Sequence, residues 1–256
     1  YVLQELGLLV GTPVGASLID AHAGGVGVME SVPPSDLPVQ DDEEEICHRL
    51  VLVCGTSTCH MVVAKDKIFI PGVWGPYCLL MKTLEPRLVL LTGVQQLLVT
   101  GFHFLFSAMI PHYWLTEGGQ SATGALLDHV VENHVAATHL SNRAASQHVS
   151  LYELLNKILE STANELKAPF LASLTKDLHV LPDFHGNRSP IADPKSKGML
   201  CGLTLDTSER QLALLYLATL QGIAYGTRHI VEHCNAHGHK VHNSLLLGSI
   251  FWMKSM

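Results

Sequence analysis

The feature that most restricts the fold of this chain is a change from short β-like runs to long amphipathic helices. Residues 50–72 are rich in Val, Ile and Cys, and Gly55 supplies a turn signal, so this region predicts two or three short strands. Residues 150–167 place leucines on one helical face after Ser150, a suitable N-cap, and residues 208–234 predict a second long helix. The mixture predicts an α/β or α+β fold.

The composition excludes several classes of function. The 256 residues suffice for one large domain with a substantial core. A formal net charge of −7 leaves no basic surface that could neutralise a phosphate backbone, so nucleic acid is not an expected partner. The six cysteines contain no Cys-x-x-Cys pair, which predicts reduced thiols and a cytoplasmic protein. The first residues lack a basic region, so we expect no signal peptide.

One apolar stretch, residues 88–110, is long enough to cross a bilayer at about 1.5 Å per residue. Gln95, Gln96 and His103 fall inside it, and a single span would interrupt a cytosolic domain. We therefore expect no membrane association, and a membrane-associated protein stays as an alternative. Earlier in the chain, residues 30–45 combine prolines with five consecutive acids, which predicts an exposed loop.

Asp20 is the first candidate for catalysis. It follows an apolar run that predicts a buried strand, and small residues and His22 follow it. A carboxylate at a strand end, beside glycines that let a substrate approach the backbone, can act as a general base on a hydroxyl group. The alternative is an aspartate that only caps the strand. We interpret His22 as a neighbour that orients Asp20 or contacts the substrate.

Two glycine-bearing segments are candidates for binding an anion. Gly55, Thr56 and Ser57 lie at a predicted turn between two strands, where backbone N–H groups and hydroxyls would converge on a nucleotide phosphate. Most such triplets are ordinary hairpin turns, which is the alternative. Residues 117–129 predict a loop that leads into a helix, and the free N–H groups of that helix could face a nucleotide.

A further segment, residues 177–198, holds too many Pro, Asn, Gly and charged residues for a helix. It predicts an ordered loop in which Asp183 and Arg188 are the most informative side chains.

Three histidines near the carboxyl end raise the question of a metal site. No Asp, Glu or Cys is spaced to complete a zinc set with them, so we predict no metal site. The histidines are His237, His239 and His242.

Six segments of the chain are specific through their common order and spacing, although each motif alone is weak. They are "ASLIDAHAGGVGV", "CGTSTCHM", "FIPGVWGPY", "EGGQSATGALLDH", "PDFHGNRSP" and "LYLATLQGIAYGTR". Together they cover nearly all of residues 7–77 and 106–239, and they resemble the C-terminal half of the FGGY carbohydrate kinase family, in its ribulokinase-like branch. The resemblance implies an α/β fold of the actin-like, ribonuclease H-like ATPase type, present here as an incomplete half of a sugar kinase.

The same resemblance implies a reaction and its partners. Such kinases transfer the γ-phosphoryl group of ATP to a sugar hydroxyl, with Mg²⁺ bridging phosphate oxygens. The implied partners are ATP and a pentulose such as D-ribulose, and we also consider a homodimer. Asp20 matches the catalytic base, and Asp20 and His22 would contact the sugar. The resemblance assigns nucleotide contacts to five residues: Gly55, Thr56, Ser57, Gly124 and Asp128, the last of which stands where some relatives carry Gln.

The resemblance also divides the chain into parts. Residues 1–29 would end the family's amino-terminal domain and carry the catalytic Asp, and residues 30–77 would begin its C-terminal domain. An apolar insertion foreign to the family (78–105), a continuation of the C-terminal domain (106–239) and a divergent tail (240–256) would follow.

Departures from the family pattern predict an impaired enzyme. The family's opening Asp-x-Gly-Thr phosphate motif has no counterpart in this chain, and its Gly-Gly-x-x-x-Asn turn is replaced after residue 239. Phosphoryl transfer requires all contacting groups to converge, so we expect little kinase activity from the 256-residue chain alone. We also expect an unpaired sheet edge where closing strands are missing. A non-catalytic binding fragment is the alternative.

Overall fold

The computed structural model describes residues 7, 19–29, 46–78, 109–110 and 113–248. No helix among these residues is both long enough and apolar enough to span a bilayer. In chain order the elements are α1 (Asp20–Met29), β1 (Arg49–Cys54), β2 (Thr58–Ala64), β3 (Trp74–Cys78), β4 (Trp114–Gln120), α2 (Gly124–Glu132), α3 (Ala137–Ser146), α4 (Leu151–Leu166), β5 (His179–Leu181), β6 (Met199–Cys201), α5 (Glu209–Ala236) and β7 (Asn243–Gly248).

Within the described residues, a mixed sheet of five strands has the order β3-β4-β2-β1-β7. β1 and β2 form an antiparallel pair in which Leu52 lies opposite His60. β4 continues the sheet antiparallel to β2, with His60 opposite Gly118. β7 pairs with β1 in parallel, and β5 and β6 form a separate antiparallel pair. The predicted strands of residues 50–72 are therefore confirmed as two strands, β1 and β2.

Different helices cover the two faces of this sheet. Successive side chains of a strand point to opposite faces, so Met61 and Val62 of β2 lie on different sides. On the front face, Met61 packs against Met29 of α1. On the back face, Val62 packs against Val231 of α5. We keep the names front face for the α1 side and back face for the α5 side.

Capping serines set the starts of the two longest helices. Ser150 Oγ accepts a hydrogen bond from the Glu153 N–H at 3.1 Å, and Ser208 Oγ accepts one from the Gln211 N–H at 3.2 Å. Both contacts satisfy an N–H group that a helix start leaves unpaired. The helices predicted at 150–167 and 208–234 are confirmed as α4 and α5. Their buried faces join α2 and α3 in an apolar cluster that includes Leu127, Leu140, Leu155, Leu212 and Tyr216.

The sheet extends beyond the predicted strands in two places. Residues 117–120, predicted as a loop, form the end of β4. Residues 243–248, assigned to a divergent tail, form β7 and pair along the whole of β1. The prediction of an unpaired edge is therefore wrong at β1, because a segment late in the chain supplies the missing partner. The predicted loop at 30–45 and the insertion beyond residue 78 lie outside the described residues, as does most of the stretch at 88–110.

Candidate active site

Asp20 is the first residue of α1, and its side chain is exposed. Its Oδ1 accepts a hydrogen bond from the Ala21 N–H at 2.8 Å. An acidic side chain is favoured there because the N–H groups at a helix start carry partial positive charge. The apolar run before Asp20 lies outside the described residues, so the carboxylate is placed by a helix start and not by an observed strand end. It is accessible to solvent, as a general base must be before substrate binds.

His22, two residues further along α1, belongs to a charged cluster on the front face. His22 Nε2 lies 2.9 Å from Glu117 Oε2, and Arg188 Nη2 lies 2.5 Å from Glu117 Oε1. An ionised carboxylate only accepts hydrogen bonds, so both neighbours donate to Glu117. The side chains of His22, Glu117 and Arg188 are 14%, 10% and 19% exposed. We call these three residues the front cluster.

The surroundings of Glu117 favour its ionised form. Burial alone would raise the pKa of its carboxyl group, but the hydrogen bond from His22 and the positive charge of Arg188 outweigh burial and hold the pKa below its ordinary value. Burial raises the pKa of the neighbouring Cys59 thiol. At neutral pH the front cluster therefore contains a carboxylate and a guanidinium group, and the Cys59 thiol beside it is neutral.

Two glycines of β4 make room for the loop that carries Arg188. A Cβ atom on Gly119 would lie 2.9 Å from Arg188 Cδ and 2.8 Å from the carbonyl oxygen of Thr58. A Cβ atom on Gly118, which points to the back face, would lie 3.5 Å from Ser189 Cβ. The loop thus crosses the end of the sheet, with Arg188 on the front face and Ser189 on the back face.

The loop predicted at residues 177–198 is confirmed for residues 182–198, which their own polar groups order, but residues 179–181 form β5. Both carboxylate oxygens of Asp183 lie 3.1 Å from Asn187 Nδ2, and the Asn187 N–H donates to the carbonyl of Asp193 at 2.8 Å. Asp183 therefore shapes the loop, whereas Arg188 leaves the loop and joins the front cluster.

Gly55, Thr56 and Ser57 connect β1 to β2, as predicted. The Gly55 N–H donates to the carbonyl of Ser57 at 2.9 Å, which closes the turn. Gly55 and Thr56 are exposed, and Ser57 is half-buried. The turn therefore presents backbone and the Thr56 side chain to solvent at one end of the sheet.

The start of α2 docks directly on this turn. The Gly124 N–H donates to the Gly55 carbonyl at 2.9 Å, and the N–H groups of Thr123 and Ala125 donate to the Thr56 carbonyl at 3.0 and 3.2 Å. A Cβ atom on Gly124 would lie 2.5 Å from the Gly55 carbonyl oxygen, so the close approach requires glycine. The prediction of free N–H groups is wrong for these three residues, because carbonyl groups of the protein occupy them. Gly124 positions the turn.

Asp128 lies on α2 with an exposed side chain. The Tyr152 hydroxyl of α4 donates a hydrogen bond to its Oδ1. Burial, followed by this hydrogen bond, raises the pKa of Tyr152. Asp128 therefore links two helices, and its contact with a nucleotide stays a prediction.

A second polar group lies on the back face of the same strands. His60 Nε2 is 3.0 Å from Thr227 Oγ1, which is 3.5 Å from Gln120 Oε1, and Gln120 Nε2 donates to the Ile223 carbonyl at 2.9 Å. Burial, and then the charge of Arg188, lowers the pKa of His60 to about 3. We call His60, Gln120 and Thr227 the back cluster, and all of its members are uncharged at neutral pH.

Neither Glu117 nor His60 is among the functional side chains that the sequence predicts. Glu117 lies in a predicted loop, yet one acid followed by two glycines inside an otherwise uncharged run is a signal for a buried, paired carboxylate. His60 alternates with Cys59 and Met61 along a predicted strand, so one of the two faces had to bury a histidine.

The described residues contain no group of three or more His, Cys, Asp or Glu side chains that could hold a metal ion. His239 Nε2 lies 3.2 Å from Thr116 Oγ1, and the ring of His242 packs against His48 with centroids 5.1 Å apart. His237 Nδ1 donates to a carbonyl one turn earlier in the chain at 2.8 Å. The three histidines thus make separate contacts.

Comparison of the sequence with known proteins gives a consistent result. A profile described as the C-terminal domain of the FGGY family of carbohydrate kinases matches residues 50–254. The chain is 46% identical over 247 residues to an FGGY carbohydrate kinase domain-containing protein of Xenopus laevis, covering 96% of this chain and 39% of that protein. It is 37% identical over 251 residues to a D-ribulokinase of Saccharomyces cerevisiae, covering 95% and 31%. The chain therefore spans 39% or less of the length of these two relatives.

The backbone fold of this chain resembles that of solved sugar kinase structures. A xylulose kinase from Rhodospirillum rubrum matches with a TM-score of 0.57 at 17% identity, covering 97% of this chain and 42% of that one. A ligand-bound xylulose kinase from Lactobacillus acidophilus matches with a TM-score of 0.55 at 15% identity, covering 98% and 37%. At these identities the similarity concerns the fold, and it confirms the α/β, actin-like ATPase fold. Because the family profile matches most of the sequence, this chain belongs to the FGGY family of carbohydrate kinases.

Proposed function

We propose that this chain serves the ATP-dependent phosphorylation of a sugar hydroxyl, with a pentulose such as D-ribulose as the acceptor. Family membership supports the reaction class, and a relative named D-ribulokinase supports the choice of sugar. The observation that carries the proposal is the exposed carboxylate of Asp20, two residues before a histidine that belongs to the front cluster. A solvent-accessible base beside preorganised polar groups suits proton removal from a hydroxyl.

In this proposal Asp20 acts as the general base. Its carboxylate accepts the proton of the sugar hydroxyl as that oxygen attacks the γ-phosphorus of ATP. The new bond joins the sugar oxygen to phosphorus, the bond from the γ-phosphorus to the β,γ-bridging oxygen breaks, and ADP leaves. His22 contacts the sugar or orients Asp20, and the hydrogen bond to Glu117 fixes the direction of its ring.

The phosphates of ATP would lie against the turn between β1 and β2. The exposed Thr56 hydroxyl and the backbone N–H groups of Thr56 and Ser57 can donate to phosphate oxygens, whereas Gly55, whose N–H is bonded to the Ser57 carbonyl, shapes the turn. Gly124 contributes by holding that turn, and Asp128 is kept as a candidate on the nucleotide side. Mg²⁺ would arrive with ATP, because kinases hold it mainly through phosphate oxygens and one or two carboxylates.

The division of the chain into residues 1–29, 30–77, 78–105, 106–239 and 240–256 stays a prediction, as do the cytoplasmic location and the homodimer. The family profile runs from residue 50 to residue 254, so it extends through 78–105 and 106–239 and all but the last two residues of 240–256.

The test combines binding with turnover on the 256-residue chain. We expect MgATP binding by calorimetry, at least several-fold weaker in Thr56→Ala and unchanged in the control Thr138→Ala, whose threonine is exposed on α3. A coupled ADP-release assay with D-ribulose and D-xylulose should show no more than background turnover, because the chain spans 39% of its Xenopus laevis relative.

Two results bear on different parts of the proposal. Turnover above background that Asp20→Asn abolishes would support Asp20 as the base and would overturn the expectation that this chain alone is inactive. Absence of binding for both MgATP and the pentuloses would remove the support for the assigned site.

A further inference from the structure

Each oxygen of the Glu117 carboxylate has its own partner. Oε1 lies 2.5 Å from Arg188 Nη2, and Oε2 lies 2.9 Å from His22 Nε2. The terminal torsion of glutamate has a broad, two-fold profile, so little in the side chain itself fixes the direction of Oε2. The direction of Oε2 therefore depends on the groups that donate to the carboxylate, which are Arg188 on Oε1, His22 on Oε2 and the Cys59 thiol.

Arg188 has contacts besides the one with Glu117, and one of them is with Cys59, whose thiol also hydrogen-bonds Glu117. The guanidinium carbon lies 4.4 Å from the centroid of the Trp74 ring, and Nη1 lies 3.7 Å from Cys59 Sγ. The absent side chain of Gly119 leaves the space that Arg188 Cδ occupies. Arginine is suited to this arrangement because its planar group can stack on a ring and donate from both ends at once.

These contacts also connect the turn proposed to bind phosphate with the front cluster. Cys59 follows the turn of Gly55, Thr56 and Ser57 by two residues in β2. Arg188 thus lies between the strand that leaves this turn and the carboxylate that holds His22.

We infer that Arg188 is a positioning residue: it fixes Glu117 so that the second carboxylate oxygen orients the His22 imidazole toward the site beside Asp20. Its meaning for catalysis rests on the function proposed above, whereas the orientation of His22 can be measured without any turnover. Arg188 acts through Glu117 and does not itself need to touch the sugar.

The test is ¹⁵N NMR of histidine side chains in the 256-residue chain, with the His22 signal assigned by its loss in His22→Gln. Because Glu117 only accepts, His22 should hold its proton on Nε2 as a single tautomer. Arg188→Gln should replace this pattern by a mixture of tautomers. Arg188→Lys should fail to restore it, since lysine returns the charge without the planar fork.

The buried His60 and His239 on the back face report whether each variant is folded. If Arg188→Gln unfolds and these signals collapse, Trp74→Leu decides, because Trp74 is 54% exposed and its removal leaves every charge in place. Trp74→Leu should give a partial loss of the single tautomer. A His22 pattern unchanged in the folded variants, or full restoration by Arg188→Lys, would overturn the inference; failure of kinase activity alone would not.

Discussion

The front and back clusters lie on opposite faces of the same two strands, yet they differ in charge and in burial. The front cluster joins an acid, a guanidinium group and a histidine at 10% to 19% exposure. The back cluster is neutral and lies against α5, with His60 only 1% exposed. Burying an unpaired charge costs far more than burying a hydrogen-bonded neutral group. The comparison indicates that charge is kept on the more exposed of the two faces.

Lowering the pH should break the back cluster first. The pKa of His60 is about 3 in the folded protein and 6.5 without burial, so between these values the unfolded chain binds more protons and stability falls as pH decreases. The loss is about 1.4 kcal/mol per pH unit from His60. Burial also lowers the pKa of His239, to about 4, which adds a loss of the same sign and of similar size down to about pH 5. Urea unfolding at pH 7, 6 and 5 measures the slope.

His60→Gln should reduce that slope, and a stability that stays constant from pH 7 to pH 5 would contradict the burial of a neutral histidine. The stability contribution of the front cluster changes at a lower pH. Because the pKa of Glu117 is depressed below 4.5, its contribution is present above that value and is lost only as the pH falls through the depressed value.

Replacing each of the two glycines of β4 by alanine tests the packing on the two faces separately. Gly119→Ala should destabilise the protein by about 1–3 kcal/mol, because the new Cβ would meet a backbone oxygen at 2.8 Å and Arg188 at 2.9 Å. Gly118→Ala is the matched control: its closest contact is 3.1 Å, to a methyl group of Ile230, so we expect a change within about 1 kcal/mol. Thermal unfolding of both variants gives the ranking, and equal losses would mean that Arg188 does not fill the space beside Gly119.

Neutralising the acid of the front cluster should have a moderate effect. Glu117→Gln leaves the guanidinium of Arg188 without a counter-charge at 19% exposure, and we expect a loss of about 1–2 kcal/mol, below the value for a fully buried pair. Glu209→Gln is the control, since it removes a counter-charge from Arg143 at 34% exposure and should cost less than about 1 kcal/mol. Denaturant midpoints compare the two, and a larger loss for Glu209→Gln would contradict the ranking.

The smallest effect is expected from Thr227→Val, which removes the hydrogen bond to His60 and the longer one to Gln120 at similar volume. We expect a loss of about 1 kcal/mol. Thr138→Val on the exposed side of α3 should change stability by less than that. If Thr227→Val lowered the free energy of unfolding as much as Glu117→Gln does, the expected order of the two clusters would be contradicted.

The parts of the fold that were predicted depend on local patterns. Ser150 and Ser208 precede helices whose apolar spacing is visible within one window. The pairing of His22 with Glu117 joins residues 95 positions apart, and it depends on how α1 lies on β4, which no local window contains. Asp20 and Thr56 could be named from the family pattern, whereas the hydrogen bond from the Gly124 N–H to the Gly55 carbonyl depends on how α2 lies on the turn, which that pattern does not show. Residues 243–248 were missed because their pairing is determined by the open edge of β1 and not by their own pattern.

The parallel pairing of β7 with β1 has a consequence for synthesis of the chain. Arg49 lies opposite Asn243, so β1 has to wait for almost all of the described chain before its outer edge is covered. Until then a nascent chain on the ribosome presents the bare edge of β1, a template for pairing with another copy. Contacts this distant in sequence also form slowly. Release of β7 from the ribosome is therefore the step at which aggregation and covering of the β1 edge compete.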